Sequence, residues 1–183
     1  DLYNEMRGRI KEDDSSVPVF KNGYFYYTRY EEGKEYSIHC RKKESLEGKE
    51  EVLLNGNEMA EGHDYFAMGG LTVSDNNKML AYGVDTVSRR LYTIYFKDLE
   101  TGETLSESIP NCSGGGAWAA DNSTFFYTVK NEETLRTERI RKHSVGTASD
   151  KDVEVFFEED DTYSTYVWRT KSKAMIMIGS FQT

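Results

Sequence analysis

The sequence predicts an all-β chain: a partial β-propeller of about three and a half four-stranded antiparallel blades, with a short helix end at the N-terminus. Three observations predict it. Four places carry the same order of short strand, polar turn and aromatic strand: VPVF-KNG-YFYYTR, LTVS-DNNK-MLAYGVD, AWAA-DNST-FFYTVK and YVWRT-KSK-AMIMIGS. Turn residues Lys21, Asp75, Asp121 and Lys171 recur at spacings of 54, 46 and 50, and strand positions Tyr27, Tyr82, Tyr127 and Ile178 at 55, 45 and 51. The composition agrees, with 13 Tyr, 9 Phe and only 2 Pro, since aromatic residues suit half-buried pleated surfaces and proline does not.

Taken in order, Leu2–Ile10 reads as the end of a helix, with Leu2, Met6 and Ile10 spaced four apart and no convincing N-cap ahead of Leu2. Lys11–Ser16 (KEDDSS) is a polar, charged linker, so residues 1–16 form a helix end plus a linker. Val17–Phe20 resumes apolar alternation, and Pro18 suits a strand start or an edge. The best-preserved repeat is Asp75–Ile109. Its strands are expected at Met79–Val84, Leu91–Phe96 and Thr104–Ile109, turning at Val87–Arg90 and Lys97–Gly102, with Leu71–Ser74 as the strand before them. The flanking copies continue alike, through hairpin tips at Glu31–Lys34 and Asn131–Thr134 to last strands at Glu51–Leu54 and Val153–Phe157.

The repeat boundaries fall near 17–64, 65–111, 112–160 and 161–183, the last copy ending after its second strand. A propeller must close its ring, or each end presents an uncovered blade and a free strand edge. The expectation is therefore a piece of a longer propeller, cut at both ends, whose edges favour self-association. Neither the Gly-His…Trp-Asp pattern of WD repeats nor a clear kelch glycine pair occurs.

A formal charge of −9, from 23 basic and 32 acidic side chains, argues against nucleic-acid binding, which needs a basic face. It suits attraction of cationic ligands. No run is apolar and long enough to span a bilayer, and the opening DLYNEM lacks the regions of a signal peptide. Two cysteines, Cys40 and Cys112, read as buried free thiols of a reducing compartment, so a cytoplasmic location is expected, with a periplasmic one left open.

Gly114–Gly116 is followed by a strand and not by Lys-Ser/Thr, so it does not read as a phosphate loop. Like Gly69-Gly70, it precedes the innermost strand of a blade, where glycine allows close backbone approach. His39, His63 and His143 have no ligand partners at metal spacing, and His143 is expected to satisfy a turn backbone. No Gly-x-Ser-x-Gly elbow occurs. The carboxylates of Glu12–Asp14, Glu50–Glu51 and Glu158–Asp161 read as solvated loops, and the sequons at Asn111 and Asn122 as turn chemistry. The residues supply architecture and no catalytic, cofactor-binding or metal site.

EMRGRIKEDDSSVP, GYFYYTRYEEGKEYSIHCRKK, EGHDYFAMGGLTVSDNNKMLAYGVD, YTIYFKDLETGE, WAADNSTFFYT and HSVGT closely resemble the prolyl oligopeptidase family of serine peptidases, in particular its members that cleave after Arg or Lys. The resemblance covers essentially the whole chain. It implies the N-terminal half of a seven-bladed propeller capping a C-terminal α/β-hydrolase domain with a Ser-Asp-His triad. It also implies short basic peptides as substrates, the hydrolase domain as partner, and no cofactor. The triad lies in the hydrolase half, so no catalytic residue carries over. Lys11–Pro18 resembles the family's interdomain linker, making Asp13, Asp14 and Pro18 the hinge candidates. A prolyl-specific relative and a non-enzymatic binding scaffold remain the alternatives.

Overall fold

The computed structural model describes residues 1–182; Thr183, the last residue of the fourth repeat, lies outside the described residues. The chain divides into two compact units, Asp1–His63 and Asp64 onward.

The first unit begins with α1 (Leu2–Gly8). Contrary to the sequence expectation, it has an N-cap: the Asp1 carboxylate accepts from Tyr3 N at 3.1 Å, satisfying one of the open amides of the first turn. Leu2, Tyr3, Met6 and Ile10 are all exposed. A four-stranded antiparallel sheet follows in the order β1 (Val19–Lys21), β2 (Tyr24–Arg29), β3 (Ile38–Lys43), β4 (Glu50–Asn55). A bulge opposite His39/Cys40 inserts one residue into β4, so consecutive Leu53 and Leu54 are both buried, beside Ile38 and Cys40. A single helical turn, α2 (Gly56–Met59), follows β4 and is capped by Asn55.

The second unit holds β5 (Ala67–Val73), β6 (Met79–Asp85), β7 (Tyr92–Asp98), β8 (Thr104–Trp118), β9 (Thr124–Lys130), β10 (Thr137–Ser144), β11 (Val153–Phe157), β12 (Tyr163–Arg169) and β13 (Ile176–Gln182). β5 to β11 form one seven-stranded antiparallel sheet, and β12 pairs with β13. The sheet is continuous because β8 is 15 residues long. Its first part pairs with β7 (Ile109 opposite Ile94) and its last part with β9 (Trp118 opposite Phe125). β8 is thus the outermost strand of one blade and the innermost of the next, where the sequence predicts a short strand ending at Ile109. Asn111 at φ 58° and Gly114 at φ 92° absorb the change of direction without ending the strand.

The largest core lies between these two blades. Ala81, Ile94, Phe96 and Ile109 of one meet Cys112, Trp118, Phe125 and Tyr127. Phe96, Trp118 and Phe125 meet edge-on with ring centroids 5.0–5.9 Å apart, the arrangement aromatic quadrupoles favour.

Two features repeat from blade to blade. Asn22, Asn77, Asn122 and Lys173 occupy left-handed backbone in the turn after each inner strand, at φ of 49°, 63°, 60° and 62°. Their spacings of 55, 45 and 51 equal those of the strand tyrosines. The expected turn markers Lys21, Asp75, Asp121 and Lys171 therefore sit one or two residues early. The tyrosines themselves clasp the start of the outer strand in each complete repeat. Tyr27 donates to Glu50, Tyr82 Oη lies 3.3 Å from Thr104 Oγ1, and Tyr127 donates to Asp152 Oδ2 at 2.7 Å. Ile178 holds that position in the fourth repeat and has no hydroxyl to offer.

Glycine provides the close approaches expected of it. A Cβ on Gly70 would stand 2.2 Å from Gly115 Cα, and one on Gly83 would stand 2.4 Å from Gly114 O.

Candidate functional site

The linker is fastened to the sheet. Ser16 N donates to Thr28 O and Tyr30 N to Asp14 O, both at 2.8 Å, and Thr28 N donates to Ser16 Oγ at 2.9 Å. Asp14–Ser16 thereby continue the β1 edge along β2, with Ser15 bridged to Arg29. Of the hinge candidates, Asp14 is held through its backbone, its carboxylate 3.5 Å from Lys11 Nζ. Asp13 is exposed and lines an open cleft of about 590 Å³ with Asn4, Arg7 and Glu32. Pro18 is exposed between the bridge and β1 and, lacking an N–H, is tolerated on an edge. The Glu12 carboxylate accepts from Gly33 N at 3.3 Å and faces Arg7 at 3.6 Å, tying the linker to the β2–β3 tip and to the helix.

A second constellation lies at the turns after the inner strands of the second unit. Asp75, just past β5, is held by Arg169 Nη1 at 2.7 Å and Lys173 Nζ at 3.0 Å, and Arg169 Nε donates to Lys173 O at 2.9 Å. Between these two turns comes that of β8–β9, whose Asn122 Oδ1 accepts from Asn76 N at 2.9 Å. Burial alone would raise the Asp75 carboxyl. Hydrogen bonds from Lys173 and Arg169 more than offset that and hold it below the usual carboxylate range.

The third is a buried network. His143 is fully buried, with Nδ1 2.7 Å from Asp152 Oδ1, Nε2 3.5 Å from Glu107 Oε1, and its ring stacked on Phe96 at 5.1 Å. This corrects the expectation that His143 serves a turn backbone: β10 turns its side chain inward, where Asp152 meets it. The pair looks like the base and orienter of a catalytic set. However, Nε2 points at a carboxylate inside the fold, so neither a nucleophile nor a substrate can reach it. Burial, then hydrogen bonding to Asp152, pushes the Tyr127 phenol up, and burial pushes the Cys112 thiol up. In the first unit burial likewise lifts Cys40 to about 11, an unreactive thiol.

The acidic clusters are only partly solvated. Glu50 accepts from Tyr27 and Arg29, and Glu51 pairs with the buried Arg41 at 2.7 Å, because both carboxylates lie on β4 and not in a loop. Glu158 accepts from Ser180. Nearby, Arg136 Nη1 donates to the carbonyls of Asp160 (3.1 Å) and Tyr163 (2.9 Å), fastening the crossing from β11 to β12. Among the described residues no group of three or more His, Cys, Asp or Glu could hold a metal ion.

The ion pair and the buried network escape a reading of the sequence. Asp75 and Arg169 are 94 positions apart. For Asp152 a signal existed: tyrosine partners recur 23, 22 and 25 residues on.

Repeated antiparallel blades define a propeller module. The chain belongs to the prolyl oligopeptidase N-terminal β-propeller domain family, whose model matches residues 1–183. It is 38% identical to dipeptidyl aminopeptidase BI of Pseudoxanthomonas mexicana, covering 97% of this chain and 27% of that protein. It is 32% identical to Protease 2 of Moraxella lacunata, covering 98% and 27%. The structure of oligopeptidase B from Leishmania major superposes with a TM-score of 0.91 at 29% identity, covering 98% of this chain and 26% of that one. Oligopeptidase B from Trypanosoma brucei gives 0.89 at 26% identity, covering 98% and 25%. The chain spans about a quarter of the length of these relatives. The resemblance carried by the sequence motifs and the structural likeness point to the same family.

Proposed function

We propose that this chain is the substrate-filtering propeller of a serine oligopeptidase that cleaves short peptides after Arg or Lys, its chemistry residing in a hydrolase domain of the same protein. The family match over the whole chain carries this reading. Relatives named as peptidases support it, as does an exposed apolar stripe on α1 suited to a domain contact. The charge of −9 supports the preference for basic peptides, because an acidic lid raises the local concentration of cationic substrate. Replacing the exposed Glu133, Glu159 and Asp161 by their amides in the full-length protein should lower kcat/KM for an Arg peptide and flatten its decline with salt. An unaltered salt response sinks the steering role.

The linker supports a hinge, since backbone pairing to β2 stops at Asp14 and the stretch before it is held through side-chain contacts, those of Glu12 with Gly33 N and Arg7, which can exchange. Alanine at Asp13 and Asp14 together should shift kcat and KM in concert, as hinge changes do. Kinetics identical to the unmodified protein would make the linker a passive tether. A second reading, release of dipeptides, is favoured by the 38% identity to a dipeptidyl aminopeptidase. Mass analysis of products from a long Arg-containing peptide separates the two.

A further inference from the structure

The sequence holds two Asn-Gly pairs, Asn22-Gly23 and Asn55-Gly56, and the fold treats them differently. In such a pair the asparagine side chain is open to attack by the next backbone nitrogen, because glycine puts no side chain in the way. Asn55 is tied down. Its Oδ1 accepts from Asn57 N at 3.1 Å, its Nδ2 donates to Glu58 Oε1 at 2.8 Å, and the buried Gly56 gives its own N–H to Ser37 O at 3.1 Å. Asn22 and Gly23 instead form the tight turn between β1 and β2, both left-handed at φ 49° and 83°. Glu44 N holds the Gly23 carbonyl at 2.8 Å, but among the described residues Gly23 N gives no backbone hydrogen bond. A Cβ on Gly23 would meet nothing within 4 Å, so the space around that nitrogen is open.

We infer that Asn22-Gly23 is a site of spontaneous covalent modification, and that its product loosens β1 from β2. Gly23 N gives its proton to water and bonds to Asn22 Cγ; the Cγ–Nδ2 bond breaks and Nδ2 leaves as ammonia. Water then opens the resulting imide ring at either carbonyl, so the chain continues through the aspartyl backbone or through its side chain. The turn must open for the two atoms to meet, and β1 lets it, being only three residues long and exposed throughout. The matching turns of the other blades are guarded. Asn77 and Asn122 are followed by Lys78 and Ser123, whose side chains crowd the attacking nitrogen, and Asn122 Nδ2 also donates to Ala120 O at 3.2 Å. Ring opening through the side chain lengthens the backbone of a turn that has no residue to spare. Lys21 then loses its register opposite Tyr24, and Gly23 O its place against Glu44 N. Asp14–Ser16 continue the β1 edge along β2, so the loosening reaches the linker.

The modification is independent of the peptidase reading, and the full-length protein tests it. Folded protein is held at mildly alkaline pH and its peptides are followed by mass spectrometry. The Asn22 peptide should exchange its amide for an acid, with an isoaspartyl fraction, about tenfold or more faster than the Asn55 peptide, a ratio set by the cost of opening each turn. In urea the two should react alike. Folded protein in which Asn22 reacts no faster than Asn55 overturns the site. Gly23→Ala would block the attack but strains a residue at φ 83°, so the control is Asn22→Gly, which keeps the left-handed turn and has no amide to lose. Hydrogen exchange at the Glu44 and Ser16 amides, bonded to Gly23 O and Thr28 O, should be faster in aged protein than in fresh, and unchanged on ageing in Asn22→Gly. Equal exchange in fresh and fully converted protein overturns the loosening of β1.

Discussion

Replacing Asp152 by alanine should destabilise the protein by about 2–5 kcal/mol, the cost of leaving two buried hydrogen-bond partners unsatisfied. Asp152 accepts from Tyr127 Oη and His143 Nδ1, both at 2.7 Å, and is 9% exposed. Without it the Tyr127 phenol and the His143 Nδ1 stay inside without their partner. Urea denaturation measures the loss. Adding Tyr127→Phe to the alanine variant should restore part of the stability, since it removes a stranded hydroxyl. A double variant whose loss is the plain sum of the single ones would show the two groups to be uncoupled. Tyr82→Phe is the internal comparison, because its 3.3 Å contact with Thr104 is the weaker clasp.

Gly70→Ala should be comparably damaging, by about 3 kcal/mol or more, from overpacking and left-handed strain combined. Its φ is +43°, and the new methyl would stand 2.2 Å from Gly115 Cα and 2.3 Å from Gly114 O, backbone atoms that cannot step aside as a flexible side chain would. Gly102 isolates the clash. At φ +80° with nothing within 4 Å of the added carbon, its alanine variant meets the left-handed penalty alone, about 1–2 kcal/mol. Equal melting temperatures for the two variants would refute the crowding of the inner strands.

Much of the fold is legible in the residues because its signals are local. Val153–Phe157 forms the strand its alternation predicts, and the strand tyrosines mark the true repeat period. β8 resists such a reading, since Pro110 and Gly114–Gly116 have the look of breakers. Only pairing on both sides, β7 before them and β9 after, keeps the chain extended there. Charged residues mislead for a related reason. Glu50, Glu51 and Asp152 resemble solvated carboxylates until strand register brings Tyr27, Arg41 and His143 to them. The ion pair of Asp75 with Arg169 is less legible still, because nothing near Asp75 in the chain announces a partner 94 positions away.

The shared strand β8 has a mechanical consequence. Two blades joined through a loop can part by stretching slack, whereas two blades that own different stretches of one taut strand have none between them. A load on either is transmitted along an unbroken row of peptide bonds, and separating them means tearing β8 from β7 or from β9. The β12–β13 pair is attached differently, by side-chain anchors such as Arg136 and Arg169. If the assembly flexes, β5 to β11 travel as a plate and the give is at its border with β12.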